Sequence, residues 1–210
     1  MKEINFFENS QDNLHCLQAC IKSVLSFYFP DKVFSDKEID RHTIHNGGWS
    51  WLPPSVVWLQ EIGLDVVLFS QFDYKRFAEQ GEGFYKEFKG ELAYQHEVQN
   101  GSVKNLKEIQ KASQQTVDIN LWQKKELSQQ ELKKTLQNKN TFAVLKTVHE
   151  WLDGNFIVGT SHYVLAIEEY SGKKWKVHDP GLQGIANRKI RKEINGRNIF
   201  GDVLLIKGLL

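Results

Sequence analysis

At 210 residues the chain has the length of one ordinary domain, or of one domain carrying a sizeable insertion, and its 40% hydrophobic and 12% aromatic content excludes a disordered chain. Lysine plus arginine (27) balances aspartate plus glutamate (26), so the net charge of +1 offers no field to draw in a nucleic acid. The longest apolar runs, such as Phe142 to Leu145 and Val203 to Ile206, fall far short of the roughly 20 residues that span a bilayer. The start, Met1 to Glu8, has no apolar signal core, so the expectation is a cytoplasmic protein with neither membrane nor nucleic acid as partner.

In chain order, Leu17, Cys20, Ile21, Val24, Leu25 and Tyr28 recur with helical spacing and predict an amphipathic helix that ends near Pro30. Ser35 and Glu38 are spaced as a capping box for a short second helix. Asn46-Gly47-Gly48 breaks the chain. Pro53 and Pro54 then open a third helix, which Gly63 closes in the C′ position. Asp65 to Phe69 reads as a strand. From about 72 to 125 the composition shifts to Lys, Glu and Gln with scattered aromatics, and Val103, Leu106, Ile109 and Ala112 recur every third residue, which predicts a helical insertion with one apolar face. Its aromatic content, Phe72, Tyr74, Phe84, Tyr85 and Phe88 among others, favours burial against something. Ser128 to Glu131 is another capping box, opening a helix through Leu132 and Leu136. Beyond Thr141 the pattern becomes strand-like over Phe142 to Val148, His162 to Glu169, Trp175 to Asp179 and Asp202 to Ile206. Helices first and a mostly antiparallel sheet afterwards predict a single α+β domain over residues 1–210.

The two cysteines, Cys16 and Cys20, lie one helical turn apart, with no second pair to complete a zinc site. Cys20 falls on the apolar stripe and reads as a small buried hydrophobe. Cys16 lies in the first helical turn, after the potential caps Asp12 and Asn13, where unpaired backbone amides and the helix dipole favour a thiolate. A nucleophile also needs a base and an orienting group. His162 opens an apolar strand and Asp179 closes the next one. If Ser171-Gly172 forms a two-residue hairpin turn, Asp179 is opposite Val164 and His162 opposite Gly181, so His162 and Asp179 are diagonal neighbours on one face, roughly 7 to 8 Å apart at the backbone; a four-residue turn keeps that parity, whereas a three-residue turn would place them on opposite faces. His178 then points to the far face and reads as structural or exposed. Thiol, imidazole and carboxylate together suit nucleophilic attack on a carbonyl, and Gln11, on the approach to the helix, is the candidate side-chain donor to an oxyanion beside the Cys16 backbone N–H.

Gln11, Cys16-Leu17-Gln18-Ala19-Cys20, His162-Tyr163-Val164 and His178-Asp179-Pro180-Gly181 together resemble the papain-like cysteine peptidases that process double-glycine bacteriocin leader peptides, and their stand-alone relatives. That family has a glutamine before a Cys-Gly-Pro-Ala helix start, and a His-Tyr/Phe-Val strand followed by Asp-Pro at the separation seen here. Leu17-Gln18 replaces the usual Gly-Pro, and Gln11 stands one residue nearer the cysteine than is usual. The resemblance implies a papain-like fold with Cys16 as nucleophile, His162 as base, Asp179 as orienter and Gln11 in the oxyanion hole. It covers both ends of the chain but not the insertion.

Trp49 and Trp51, flanking Ser50 beside Gly47-Gly48, and His149, after an apolar strand next to the expected cleft, are the candidate substrate-binding residues; the alternatives are a cover over the core and a sheet-end histidine. His42 and His45 have a ligand-like spacing but no acidic partner pattern, so no metal is expected, and no cofactor. The basic run from Arg188 to Lys192 reads as a solvated face. The expected function is hydrolysis of a peptide or isopeptide amide through an acyl-enzyme on Cys16, with a peptide or protein as substrate. Glutamine deamidation or acyl transfer by the same triad, and a catalytically inactive peptide-binding module, are the alternatives. The oligomeric state is not legible.

Overall fold

The computed structural model describes residues 3–45, 50–99, 103–148, 152, 161–181, 184–194 and 197–210. Helix α1 (Cys16–Tyr28) buries Leu17, Cys20, Ile21, Val24 and Leu25, the stripe that its spacing predicts. In α2 (Asp36–His42) the Ser35 side chain accepts the Glu38 backbone N–H at 3.2 Å. Helix α3 (Leu52–Glu61) starts on its proline pair and stops at Gly63, whose φ of +95° is the left-handed conformation that ends a helix cheaply only in glycine. Strand β1 (Leu64–Phe69) follows directly.

The segment expected as an insertion forms α4 (Tyr74–Gln80), α5 (Glu82–Lys89), α6 (Glu91–Gln99) and α7 (Leu106–Asp118), and then the two-residue strand β2 (Trp122–Gln123). Helix α7 buries Leu106, Ile109, Ala112, Ser113 and Thr116 and packs on α3 and α4. Because β2 pairs with β1, this segment also adds the edge strand of the main sheet. Helix α8 (Gln129–Leu136) carries a complete capping box: Ser128 accepts the Glu131 N–H while the Glu131 carboxylate accepts the Ser128 N–H at 2.9 Å.

Strands β3 (Phe142–Val148), β4 (Ser161–Ser171), β5 (Lys174–Asp179), β6 (Ile185–Arg191) and β9 (Val203–Leu209) complete a seven-stranded sheet of order β2-β1-β9-β3-β4-β5-β6; β7 (Glu193–Ile194) and β8 (Arg197–Asn198) form a separate pair. Among the described residues only β1 with β2 runs parallel in this sheet. The fold is α+β, with helices packed on a mixed, mostly antiparallel sheet. Alternate side chains of the sheet face two cores. Val66, Leu68, Phe142, Val144, Leu165 and Leu204 meet α1 and α3, whereas Val67, Leu145, Val164, Trp175, Val177 and Leu205 meet α8. Each strand of the sheet's centre is thus covered on both faces, and this is why β3 and β9 read as continuous apolar runs. Among the described residues no helix is long and apolar enough to cross a membrane.

The β4–β5 hairpin differs from its expected geometry at one end only. Ser171 pairs with Lys174, so the turn is Gly172-Lys173 rather than Ser171-Gly172. Two bulges, between Ala166 and Glu168 and between Glu169 and Ser171, then restore the expected register, with Leu165 opposite His178. The alignment next to His162 and Asp179 is therefore the predicted one, reached through a different turn.

Candidate functional site

Cys16 is the first residue of α1, and its backbone N–H precedes the helix's own hydrogen-bond ladder, which begins with the Ala19 N–H on the His15 carbonyl. The expected caps do not cap: the position before the helix is His15, and no side chain caps the helix there. Asn9 instead accepts the His15 N–H at 2.7 Å, and Asp12 accepts the Leu14 N–H at 3.0 Å. Asn13 takes φ +59°, a left-handed conformation that asparagine tolerates better than most residues. The Asn9 N–H donates to the Pro180 carbonyl at 3.0 Å, so the turn leading into α1 is tied directly to the end of β5. His178 strengthens that tie. Its Nε2–H donates to the Ile4 carbonyl at 3.2 Å, its Nδ1 accepts the Asn187 N–H at 3.3 Å, and its ring meets Phe6. Burial holds this imidazole below its usual pKa, in keeping with a neutral structural role.

These ties bring the start of α1 to the start of β4. His162 is buried, and its Nε2 lies 2.7 Å from Asp179 Oδ1. The same oxygen accepts the Gly181 N–H at 3.0 Å, while Oδ2 accepts from Arg188 Nη1. An ionised carboxylate only accepts, so Nε2 carries a proton and the other ring nitrogen, Nδ1, is left for the Cys16 thiol, which hydrogen-bonds to this ring. Burial pulls the His162 pKa down, but the hydrogen bonds from Asp179 and Cys16 and their charges outweigh it and push the value up to about 9. For Asp179, burial favours the neutral acid, yet His162, Gly181 and Arg188 together hold it well below the usual carboxylate range. Cys20, one turn on, is fully buried; desolvation, with the charges of Cys16 and Asp179, raises its thiol pKa and keeps it inert.

Cys16 also lines a cavity of about 430 Å³. Trp51, an expected substrate contact, is in its wall; Trp49 and His149, the other two, lie outside the described residues. Gln11 is exposed, in the turn before α1, and the cavity lining from this segment is Asn13 and Leu14. Gln18, at the position where the resembling family has proline, is buried and donates to Thr43 Oγ1 and Ser50 Oγ, both at 3.0 Å. Tyr163 donates to the Ser50 carbonyl at 3.1 Å. The loop that delivers Trp51 to the cavity is thus pinned from beneath by two buried side chains.

The structure does not bring His42 and His45 together. His42 stacks on Trp58 at 4.6 Å, and His45 packs against His15 at 4.1 Å. Among the described residues no group of three or more histidine, cysteine or acidic side chains could hold a metal ion. The basic run is the expected solvated face only at Lys189 and Arg191, which are exposed. Arg188 reaches Asp179, and Lys192 is buried over the Trp175 ring, where it pairs with Glu169. No strand pattern marks Arg188, because the apolar residues of β6, Ile185, Ala186 and Ile190, do not share one parity, and a register shift between Val177 and Asp179 hides the strand's alternation.

No protein-family model matches the chain, and no curated protein does. Among solved structures it is similar to a crystal structure of a double-glycine-motif protease from an AMS/PCAT transporter in complex with the leader peptide, at 11% identity and a TM-score of 0.48 over 98% of this chain and 93% of that one.

Proposed function

We propose that the chain is a papain-like cysteine peptidase, hydrolysing a peptide or isopeptide amide through an acyl-enzyme on Cys16. The observation that carries the reading is the buried chain of contacts from the Cys16 thiol through His162 to Asp179, at the wall of a cavity large enough for a side chain. The Cys16 thiolate attacks the carbonyl carbon, and the carbonyl electron pair moves onto oxygen. On collapse of the tetrahedral adduct, His162 gives its proton to the departing amine, leaving a thioester. Water then attacks the thioester with His162 taking its proton, and C–S cleavage releases the acid and restores the Cys16 thiolate beside the protonated ring. Asp179 keeps the ring in the tautomer and orientation that both steps need.

The Cys16 backbone N–H is one oxyanion donor. Gln11 is proposed as the second, and Asn13 competes with it by lining the same cavity as the thiol. Alanine at the position that supplies the donor lowers kcat by about 10²–10³-fold, whereas alanine at the other has a much smaller effect. Comparing the two variants on one peptide decides between them.

The reading itself is tested with a thiol-directed electrophile at neutral pH, followed by peptide mapping and by cleavage of a generic peptide library. The expected result is modification of Cys16 in preference to Cys20, with cleavage products that vanish in Cys16→Ala. Failure to modify Cys16 selectively points to a peptide-binding module. A product heavier by about one mass unit, with unchanged fragment length, points to glutamine deamidation.

A further inference from the structure

We infer that the cavity beside Cys16 receives a large, uncharged aromatic side chain next to the scissile amide; this rests on the peptidase reading and gives it a substrate class. The cavity holds about 430 Å³. A void of roughly 150 Å³ suffices for benzene, so this one accommodates an indole or phenol ring with space for the backbone that carries it.

Its walls name the ligand's chemistry. Trp51, Phe72, Tyr85 and Phe88 line it as one continuous array, with Trp51 and Phe72 at 5.7 Å and 72°, Trp51 and Tyr85 at 5.2 Å, and Phe72 and Phe88 at 5.0 Å and 89°. Rings set edge to face offer both quadrupole faces and edges to another ring, so the array prefers an aromatic guest over an aliphatic one of equal area. The array is also preformed. Trp51 stacks on Phe77 at 5.6 Å and 13°, and the Tyr85 hydroxyl donates to buried Glu97, so binding does not have to order these walls. Phe88 is the exception in burial: the residue is 56% exposed, and it is an apolar group of the lining that a guest could cover. The cations of the lining are matched by carboxylates, Lys89 by Glu97 at 2.8 Å and Lys146 by Asp202 at 3.3 Å, so the pocket selects neither an acidic nor a basic side chain.

Three of the four rings come from residues 72–88. The helical segment between β1 and β2 is thereby the specificity element of the site. A double-glycine junction would leave this space unfilled and gain none of its contacts.

The test uses the full chain and a matched set of peptidyl acyloxymethyl ketones that differ only in the residue bearing the electrophile or the one before it: glycine, leucine, phenylalanine, tryptophan, glutamate or lysine. The rate of Cys16 modification is read by intact mass. Phenylalanine or tryptophan at one of the two positions should react faster than glycine by at least about tenfold, with glutamate and lysine no faster than glycine. Phe88→Ala, at an exposed position that leaves the fold intact, should narrow the aromatic-to-glycine ratio. Equal rates across the set, or a preference for glycine or a charge, overturns the aromatic pocket while leaving the peptidase reading in place. Absence of Cys16 modification by every probe removes that reading, and this inference with it.

Discussion

Replacing His162 by alanine should lower peptide cleavage by about 10²–10⁴-fold, the range set by loss of a positioned acid–base group, and the intact protein should lose activity at high pH with a limb near pH 9. The second expectation follows from the same contacts. An imidazole in an unfolded chain titrates near 6.5, whereas in the folded site it is pushed up to about 9, because Asp179 and Cys16 favour its charged form more than burial opposes it. In the proposed mechanism it is the protonated ring that gives its proton to the leaving amine. Activity therefore persists across neutrality and declines as the ring deprotonates. The associated stability has the same sign: it is complete below about 6.5, the unfolded value, and disappears as the pH rises through about 9. Asp179→Asn removes a hydrogen-bonded charge from the ring and should move the alkaline limb down. A pH–rate profile of intact and Asp179→Asn proteins checks both points. A limb that stays in place in the variant would show that Asp179 does not act on the imidazole.

The parts of this fold with strong local signals were legible because one interaction dominated each. The stripe of α1, the proline start of α3 and the capping box of α8 are decided within about one helical turn of the residues concerned, and each stands where its pattern puts it. The His162–Asp179 pairing was legible for a subtler reason. Only the register near the site mattered, and the two β-bulges of the β4–β5 hairpin cancel the displacement that the Gly172-Lys173 turn introduces. What stayed hidden is decided by tertiary contact. Strand β2 has two residues and exists only because β1 offers an edge. The aromatic wall is built from residues far from Cys16 in the chain, and nothing in the spacing of Phe72, Tyr85 and Phe88 says which surface they face. Gln18 looked like a departure at a helix start, whereas its amide proves to be the buried support of the loop bearing Trp51.

Arg188 is the residue whose role local reasoning most completely misread, and its removal carries the other large expected effect. Its side chain is 15% exposed and that of Asp179 2%, so the pair is largely out of water. Arg188→Ala would strip one carboxylate oxygen of its partner, while His162 and Gly181 keep the other. A loss of about 1–3 kcal/mol in stability is expected, below the cost of a fully orphaned buried ion, because His162 and Gly181 still compensate the carboxylate. The effect on titration runs opposite to that of Asp179→Asn. Arg188 competes with the imidazolium for one carboxylate and repels it, so without the arginine Asp179 favours the charged ring more strongly and the alkaline limb should move up from about 9. Urea denaturation and the pH–rate profile read the two consequences separately. In the double variant the stability losses should sum to less than the two singles, since each already removes the shared contact. Arg188→Lys restores the charge but not the planar fork, and should recover part of the stability. If Arg188→Ala and Asp179→Asn move the limb in the same direction, Arg188 acts on the fold alone and not through the carboxylate that orients His162.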